Sequence, residues 1–155
     1  MKRILFVCLG NICRSPAAEG VMQHLVNERG LGDEIEVDSA GTSSYHLGEP
    51  ADKRMRQAAK SRSIELTSLS RMVSARDLGD FDWVIAMDND NFNALNRLDD
   101  AGGGRIKMMS DYLPDDGPWP RDVPDPYYGG PEGFDHVLDM LEAACPALLD
   151  EVVSS

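Results

Sequence analysis

The chain has 155 residues with 27 acidic and 15 basic side chains, which gives a formal net charge of −12. Hydrophobic residues make up 42% of it, too many for a disordered chain, and the length predicts one globular domain over residues 1–155. The negative charge argues against nucleic acid or an anionic membrane surface as a partner. The first apolar stretch, residues 4–9, is too short for a membrane-spanning helix or a signal peptide.

The number and spacing of the cysteines and histidines indicate the redox environment and argue against a metal site. An odd number of cysteines, three, without an export signal favours a reducing cytoplasm over a disulfide scaffold. Cys8 and Cys13 are five residues apart and the three histidines are scattered, so no metal-ligand spacing is present. We therefore expect neither a metal nor a cofactor, and we expect the histidines to be surface or packing residues.

The first third of the chain predicts a strand, a helix and a second strand. Residues 4–7 form a continuous apolar run, typical of a strand buried on both faces of a parallel sheet. Ser15 as N-cap and Pro16 at the first helical position predict the start of a helix, and Gly30 its end. Residues 34–38 alternate polar and apolar side chains, which predicts a half-exposed edge strand.

The remainder of the chain continues this alternation of helices and strands. Pro146 is expected to kink or interrupt the last helix. The predicted elements are a modest helix over residues 51–62, a central strand over 83–87, a helix carrying Phe92, Leu95 and Leu98, an edge strand at Ile106 and Met108, and an amphipathic helix carrying Phe134, Val137, Leu138, Leu141, Cys145, Leu148 and Val152.

These elements predict the fold and the place of its site. We expect a single three-layer α/β domain whose four-stranded parallel sheet has the order 2-1-3-4, with helices on both faces. Ligands of such sheets bind at the carboxyl ends of the strands, where the strand order reverses. That point lies between strands 1 and 3, so the segment that leaves strand 1, residues 8–15, is the place to look for chemistry.

This segment has the properties of a phosphate-binding loop. A five-residue loop between a strand and a helix can curl so that its backbone N–H groups surround a tetrahedral oxyanion, and Gly10 and Asn11 tolerate the positive φ that such a curl requires. Arg14 adds a planar two-pronged donor for phosphoryl oxygens. The helix N-terminus and the guanidinium both favour a thiolate at Cys8, to which the Ser15 hydroxyl could donate.

The same residues resemble a known family. The sequence VCLGNICRSP of residues 7–16 looks like the signature of the low-molecular-weight protein tyrosine phosphatases. Three more motifs of that family recur in order: DSAGT at residues 38–42, AMD at 86–88 and DPYYG at 125–129. The resemblance runs nearly end to end, and it implies hydrolysis of phosphotyrosine and small aryl phosphates through a phosphocysteine intermediate.

The resemblance also implies a role for each site residue. Cys8 is the nucleophile, Arg14 binds the phosphoryl group and Asp125 is the general acid and base. Phosphotyrosine proteins would be the partners, and inorganic phosphate the product, with no metal required. Substrate is expected to contact the loop and its rim at Leu9, Gly10, Asn11, Ile12, Cys13, Ser15, Tyr45, Tyr127 and Tyr128, while Asn11, Ser15 and Ser39 support the loop.

Two positions depart from the family pattern, and one assignment is contested within the sequence. Ser68 stands where many relatives have a histidine that supports the loop asparagine, so Asn11 is expected to have weaker or different support. Tyr45 stands where bacterial relatives often have tryptophan, which bears on the pocket rim. From the residues alone, Asp125 competes as the acid with four aspartates of the same loop, namely Asp111, Asp115, Asp116 and Asp122.

Cys13 lies in the same loop as Cys8, and two roles are open for it. Cys13 could form a reversible disulfide with Cys8 that protects it from overoxidation, or it could only pack beneath the loop.

The rival functions are arsenate reduction, phosphoarginine hydrolysis and phosphotyrosine binding. Arsenate reduction needs extra resolving cysteines, and none lies between Cys13 and Cys145. Relatives that hydrolyse phosphoarginine carry threonine where this chain has Ile12. A phosphotyrosine-binding module would need neither a nucleophile nor an acid.

Overall fold

The computed structural model describes residues 1–99, 105–115 and 117–155. Its core is a four-stranded, fully parallel sheet with the strand order β2-β1-β3-β4, so the predicted topology is confirmed. Asp116, one of the contested aspartates, lies outside the described residues. The strands are β1 (Lys2–Cys8), β2 (Ile35–Gly41), β3 (Trp83–Ala86) and β4 (Ile106–Met108).

Helices cover both faces of this sheet. The side chains of β1 alternate between two clusters, with Phe6 facing α1 and α5 and Leu5 facing α3 and α4. This two-sided burial explains why residues 4–7 are all apolar. The helices are α1 (Arg14–Glu28), α2 (Lys53–Lys60), α3 (Ala75–Asp80), α4 (Asn89–Leu98) and α5 (Pro131–Ser154), and a 3₁₀ turn spans Met109–Tyr112.

The predicted N-cap of the first helix is wrong, and so is the predicted interruption of the last helix. Ser15 is not an N-cap, because α1 already begins at Arg14, which places Pro16 at the third helical position. The Ser15 hydroxyl instead bonds inside the loop that precedes α1. Pro146 does not interrupt α5, which runs unbroken to Ser154. Gly30, with φ of 68°, does follow the end of α1 as predicted.

One helix was not predicted at all. Helix α3 has only six residues and is held by a capping box, in which Ser74 and Asp77 bond each other's backbone N–H groups. So short an element shows little helical periodicity, but its Ser-x-x-Asp spacing was a readable signal. None of the helices in the described ranges is long and apolar enough to span a bilayer.

Candidate active site

The loop at residues 9–13 joins the end of β1 to the start of α1, as predicted. Asn11 lies in the left-handed region with φ of 57°, whereas Gly10 has no positive φ, so the conformational reason given for Gly10 is wrong. A Cβ at Gly10 would come within 3.1 Å of His46 Cδ2, so a larger residue there would require the His46 ring to shift by a few tenths of an ångström.

Gly41, at the end of β2, is required by the close approach of this loop. A Cβ at Gly41 would lie 2.7 Å from the carbonyl oxygen of Leu9, which is a backbone atom that cannot move aside easily. The loop is fastened there by backbone hydrogen bonds from Thr42 N to Cys8 O and from Ser43 N to Leu9 O, both 2.9 Å long. The last glycine of the DSAG segment therefore has a steric reason to be glycine.

The Cys8 sulfur is the centre of a small buried hydrogen-bond network. It lies 3.0 Å from Ser15 Oγ, and the Asn11 backbone N–H donates to it over 3.3 Å. Asn11 Nδ2 donates to Ser15 Oγ over 2.8 Å, so the serine oxygen already accepts a hydrogen bond. The Ser15 proton is thus available to the sulfur or to the Ala40 carbonyl at 3.3 Å. Two hydrogen-bonding groups, the Asn11 N–H and the Ser15 hydroxyl, therefore lie against the sulfur.

Asn11 itself is fully supported. Its Nδ2 also donates to Ser39 Oγ over 3.0 Å, and its Oδ1 accepts from the Arg71 backbone N–H over 2.9 Å. Ser39 in turn donates to Glu19 over 2.6 Å. The support that Ser68 was expected to weaken is therefore supplied by other groups, and Ser39 lies where the prediction placed it.

Glu19 is a partly buried carboxylate that sequence reasoning missed. Burial raises its pKa, and hydrogen bonds from Ser39 and Ser68 oppose that effect. Ser68, the residue that departs from the family pattern, thus bonds Glu19. Glu19 bonds Ser39, 20 residues away in the chain, so no local pattern in α1 could have identified it.

Arg14 is held through one of its terminal nitrogens, Nη1. Its Nη1 donates to Asp88 Oδ2 over 2.5 Å and to the Val123 carbonyl over 3.2 Å, and only 3% of its side chain is exposed. Burial lowers the pKa of Arg14, but the neighbouring Cys8 and Asp88 outweigh it and raise that pKa, so the guanidinium is charged. Asp88 belongs to the AMD motif, yet the sequence assigned it no role.

Asp125 lies on the loop above this arginine. Its Oδ2 is 3.6 Å from Arg14 Nη2, its Oδ1 accepts from the Tyr127 backbone N–H over 3.1 Å, and 40% of its side chain is exposed. The contested aspartates that the structure describes are not among the residues that line the active-site pocket: Asp111 bonds Met108 N and Asp122 bonds Asn89 N. Asp125 is therefore the one described aspartate of that loop that meets the site.

These groups open into a pocket of about 410 Å³. Asn11 and Ser15 lie beneath it, while Ser43 and His46 are lining residues that sequence reasoning missed. Tyr45 and Tyr128 are 88% and 93% exposed and form its outer edge. The lining residues are Cys8, Leu9, Gly10, Ile12, Cys13, Arg14, Ser43, Tyr45, His46, Asp125, Tyr127 and Tyr128.

An aromatic wall stands on one side of the pocket. The His46 ring lies 6.2 Å from the ring of Tyr45 and 6.0 Å from that of Tyr127, and Tyr127 meets Tyr128 edge-on at 5.0 Å. The Arg54 guanidinium packs 5.3 Å from the Tyr127 ring. The loop that carries His46 folds against Gly10, a contact that local sequence patterns do not encode.

The other cysteines differ in their surroundings. Burial and the nearby Asp52 raise the pKa of Cys13, which lines the pocket as a thiol. Burial raises the pKa of Cys145 to about 12, and this residue is a core side chain, as predicted. Among the described residues, no three His, Cys, Asp or Glu side chains are grouped so that they could hold a metal ion.

Comparison with known proteins places this site in a family. A family model for the low molecular weight phosphotyrosine protein phosphatases matches residues 3–155. A Synechocystis sp. protein named for the same family is 48% identical over 149 residues, which cover 95% of this chain and 94% of that protein. A protein tyrosine phosphatase from Entamoeba histolytica superposes with a TM-score of 0.94 at 45% identity, covering 99% of this chain and 98% of its own.

A third match widens the range of named activities. The crystal structure of a Drosophila arginine phosphatase superposes with a TM-score of 0.87 at 34% identity, covering 97% of each chain. The fold and the relatives together define a hydrolase of the protein-tyrosine-phosphatase class. The chain belongs to the low molecular weight phosphotyrosine protein phosphatase family.

Proposed function

We propose that this enzyme hydrolyses phosphotyrosine through a phosphocysteine intermediate on Cys8, with Arg14 binding the phosphoryl group and Asp125 acting as general acid and base. The observation that carries the proposal is the position of Cys8. Its sulfur lies at the base of the pocket and receives hydrogen bonds from the loop, while a charged arginine and an exposed carboxyl group line the same pocket. Pure binding would need neither a nucleophile nor an acid.

In the first step, the Cys8 thiolate attacks phosphorus and forms an S–P bond while the P–O bond to the tyrosine breaks. The leaving phenolate takes a proton from the protonated Asp125. Asp125 suits this role because its loop lies on the solvent side of Arg14, where the leaving oxygen would emerge.

In the second step, water attacks phosphorus, the S–P bond breaks and the thiolate is restored. Asp125, now ionised, takes the proton from the water, and inorganic phosphate leaves. The Ser15 hydroxyl and the Asn11 N–H, which bond the sulfur in the free enzyme, would stabilise the thiolate as it departs.

Throughout both steps, the transferred group bears negative charge on its equatorial oxygens. The loop N–H groups and the Arg14 guanidinium would stabilise that charge, and this kind of interaction is often the largest contribution to phosphoryl transfer. Asp88 fixes Nη1 of Arg14 and so leaves its other donors for the phosphoryl oxygens.

The rim supports an aromatic substrate. Tyr45, Tyr127 and Tyr128 border the pocket, and Ile12 adds an apolar surface where the arginine-directed relatives carry threonine. The tyrosine rings can pack against the ring of phosphotyrosine. Ile12, unlike threonine, offers no hydroxyl group to a guanidinium. The partners would be proteins that carry phosphotyrosine. The three unpaired cysteines are consistent with the reducing cytoplasm expected for the protein.

The test is steady-state hydrolysis of p-nitrophenyl phosphate with EDTA and reductant, between about pH 5 and pH 8, where a thiolate and a protonated acid coexist. We expect Cys8→Ser to lose at least about 10⁴-fold in kcat. We expect Asp125→Ala to lose about 10²-fold to 10⁴-fold. Asp122→Ala is the matched control, since this aspartate of the same loop bonds Asn89 N instead of lining the pocket.

Three added assays separate the rival functions. Phosphoarginine replaces the aryl phosphate in one assay, arsenate with thiols in another, and binding of a phosphotyrosine peptide is measured in a third. Faster hydrolysis of phosphoarginine than of phosphotyrosine would overturn the substrate assignment. Peptide binding without turnover by a folded, reduced wild-type protein would favour the binding module.

A further inference from the structure

The exposed apolar side chains of this protein are concentrated at one end. The described residues contain eight large hydrophobic side chains that are exposed, and six of them lie around the pocket or on segments bonded to its loops. We call these six the apolar rim: Leu9, Tyr45, Leu47, Leu69, Met72 and Tyr128. The other two are Met1 and Val153, near the ends of the chain.

Backbone hydrogen bonds join the segments of the apolar rim. Leu47 follows Tyr45 by two residues, and the next residue, Gly48, donates to the Ser70 carbonyl over 2.9 Å. Ser70 N donates back to Glu49 O over 2.8 Å, which brings Leu69 beside the 43–50 loop. Ser70 Oγ also donates to Gly10 O over 3.0 Å. The segment that carries Leu69 and Met72 is thus bonded to the phosphate-binding loop.

Solvent exposure of several large apolar side chains together is costly and typical of a binding surface. The residues that flank a phosphotyrosine bound at Cys8 would extend from the edge of the pocket, which Leu9, Tyr45 and Tyr128 border. Each residue of an extended peptide advances about 3.3–3.6 Å, so the residues two positions away lie about 7 Å from the phosphotyrosine. This is close enough for them to meet side chains at the pocket edge.

Resting on the phosphatase function proposed above, we propose that the apolar rim binds the residues flanking phosphotyrosine, so that preferred substrates carry phosphotyrosine in an apolar sequence. Charge favours the same partner. The chain has a net charge of −12, which disfavours the approach of acidic peptides. The exposed Glu49 beside Leu47 would add local repulsion, although it is bonded to His46 over 2.9 Å.

A second copy of the chain is the competing occupant. Two copies with a charge of −12 each repel one another, and a copy seated on the apolar rim would close the pocket against substrate. A substrate segment suffers neither penalty, and it shares a continuous surface with the phosphotyrosine pocket. The substrate is therefore the occupant that the observations favour.

The experiment compares peptides of equal length whose phosphotyrosine is flanked on both sides by Leu and Val, by Ser, or by Glu. We expect kcat/KM for the apolar peptide to exceed that for the Ser peptide by about fivefold or more, with the Glu peptide slowest. The double variant Leu47→Ser, Leu69→Ser should lose most of the apolar preference. Neither side chain lines the pocket, so hydrolysis of p-nitrophenyl phosphate should not change.

Val153→Ser is the matched control, because Val153 is 48% exposed, comparable to Leu47 at 55% and Leu69 at 61%. Val153 lies near the C-terminal end of α5 and is not among the residues that line the pocket. This control should keep the wild-type preference. Equal rates for the apolar and Ser peptides, or a preference that survives the double variant, would overturn the proposal. So would sedimentation showing a dimer that the double variant dissociates while peptide preference stays unchanged.

A second readout keeps this test separate from the catalytic assignment. Affinities of the three peptides for Cys8→Ser are measured by calorimetry, where the same ranking is expected. If wild-type protein fails to hydrolyse any phosphate ester, the proposed function fails, while the ranking of affinities still decides the role of the apolar rim. Equal affinities would count against it.

Discussion

The base of the pocket and its rim are built on opposite principles. At the base, Cys8, Asn11, Arg14 and Ser15 are all buried, and each is hydrogen-bonded to another part of the site. At the rim, side chains such as Tyr128 lie almost entirely in solvent. The side chains at the base are fixed in one geometry by their hydrogen bonds, whereas the exposed side chains of the rim are free to adapt to what binds.

The buried base and the exposed rim are suited to different tasks, namely catalysis and the selection of substrates. Stabilising charge in a transition state requires donors that are oriented in advance, and burial provides that. Selecting among peptides requires exposed surface that becomes buried only on binding. Substitutions at the base should therefore reduce kcat for every substrate, and substitutions at the rim should change KM for some of them.

A large effect on catalysis is expected at Asp88, which accepts a hydrogen bond from Arg14 Nη1. We expect Asp88→Asn to lower kcat/KM by about 10-fold to 10²-fold, because the amide replaces a charged acceptor and holds the guanidinium less firmly. The asparagine can still cap α4, as Asp88 does through Asn91 N. Kinetics with p-nitrophenyl phosphate, alongside thermal unfolding, measure the effect.

Asp90→Asn provides the control for that change, since Asp90 lies exposed in the first turn of the same helix. It should retain wild-type kinetics. A value of kcat/KM for Asp88→Asn equal to that of this control would show that Arg14 needs no fixed partner.

A variant of Cys13 tests whether this residue protects Cys8 from irreversible oxidation. Peroxide would convert Cys8 to a sulfenic acid, which condenses with the Cys13 thiol, releasing water and forming a disulfide that reductant reopens. After mild peroxide and then reductant, we expect wild type to regain most of its own initial activity and Cys13→Ser a clearly smaller fraction. Counting free thiols before and after reduction follows the disulfide. Equal recovery in both proteins would remove the protective role.

Asp77 supports the segment that bonds Asn11. Burial raises its pKa, but hydrogen bonds from Arg71 and Ser74 outweigh burial and hold that pKa below 3.8. We expect Asp77→Asn to lower the free energy of unfolding at pH 7 by about 1–2 kcal/mol, because it loses charged hydrogen bonds and weakens the cap of α3. Urea unfolding measures this difference.

The sign of its pH dependence follows from the lowered pKa. The stabilisation from ionised Asp77 is fully present above pH 3.8 and is lost as the pH falls through the folded-state value. The difference in the free energy of unfolding between wild type and Asp77→Asn should therefore become smaller below about pH 4. Asp80→Asn, on the same helix but more exposed, is the control. A gap that stays constant down to pH 3 would contradict the assigned ion pair.

The smallest effect is expected at the rim. Tyr128 is 93% exposed, so Tyr128→Ala should raise KM for p-nitrophenyl phosphate by no more than about threefold and leave kcat unchanged. Tyr127→Ala is the matched comparison, because Tyr127 is half-buried against His46 and Arg54. Its KM should rise further. Equal changes in the two variants would mean that burial does not distinguish the two tyrosines.

The sequence predicted what depends on neighbouring residues. The apolar run of β1, the loop at residues 9–13 and the strand order could all be inferred from hydrophobic patterns and from the CLGNICRS segment. Ser15 shows where such reasoning fails. Its position suggested a helix cap, but the fold uses its hydroxyl to bond the Cys8 sulfur and the Asn11 amide.

Local sequence patterns could not predict several partners that are distant in the sequence. Asp88 reaches Arg14 across 74 residues, and the Arg71 backbone reaches Asn11 across 60. His46 contacts Gly10 only because the 43–50 loop folds back over the phosphate-binding loop. No local periodicity encodes these contacts, since each depends on how strands and loops meet in three dimensions.

The central claim is that Cys8 carries the phosphoryl group during turnover. The most direct measurement is rapid acid quenching of the wild-type enzyme during turnover of a ³²P-labelled phosphotyrosine peptide, followed by mapping of the labelled residue. We predict label on Cys8 at early times, and none in Cys8→Ser. A labelled residue other than Cys8, or tyrosine release with no phosphoenzyme at any time point, would contradict the account.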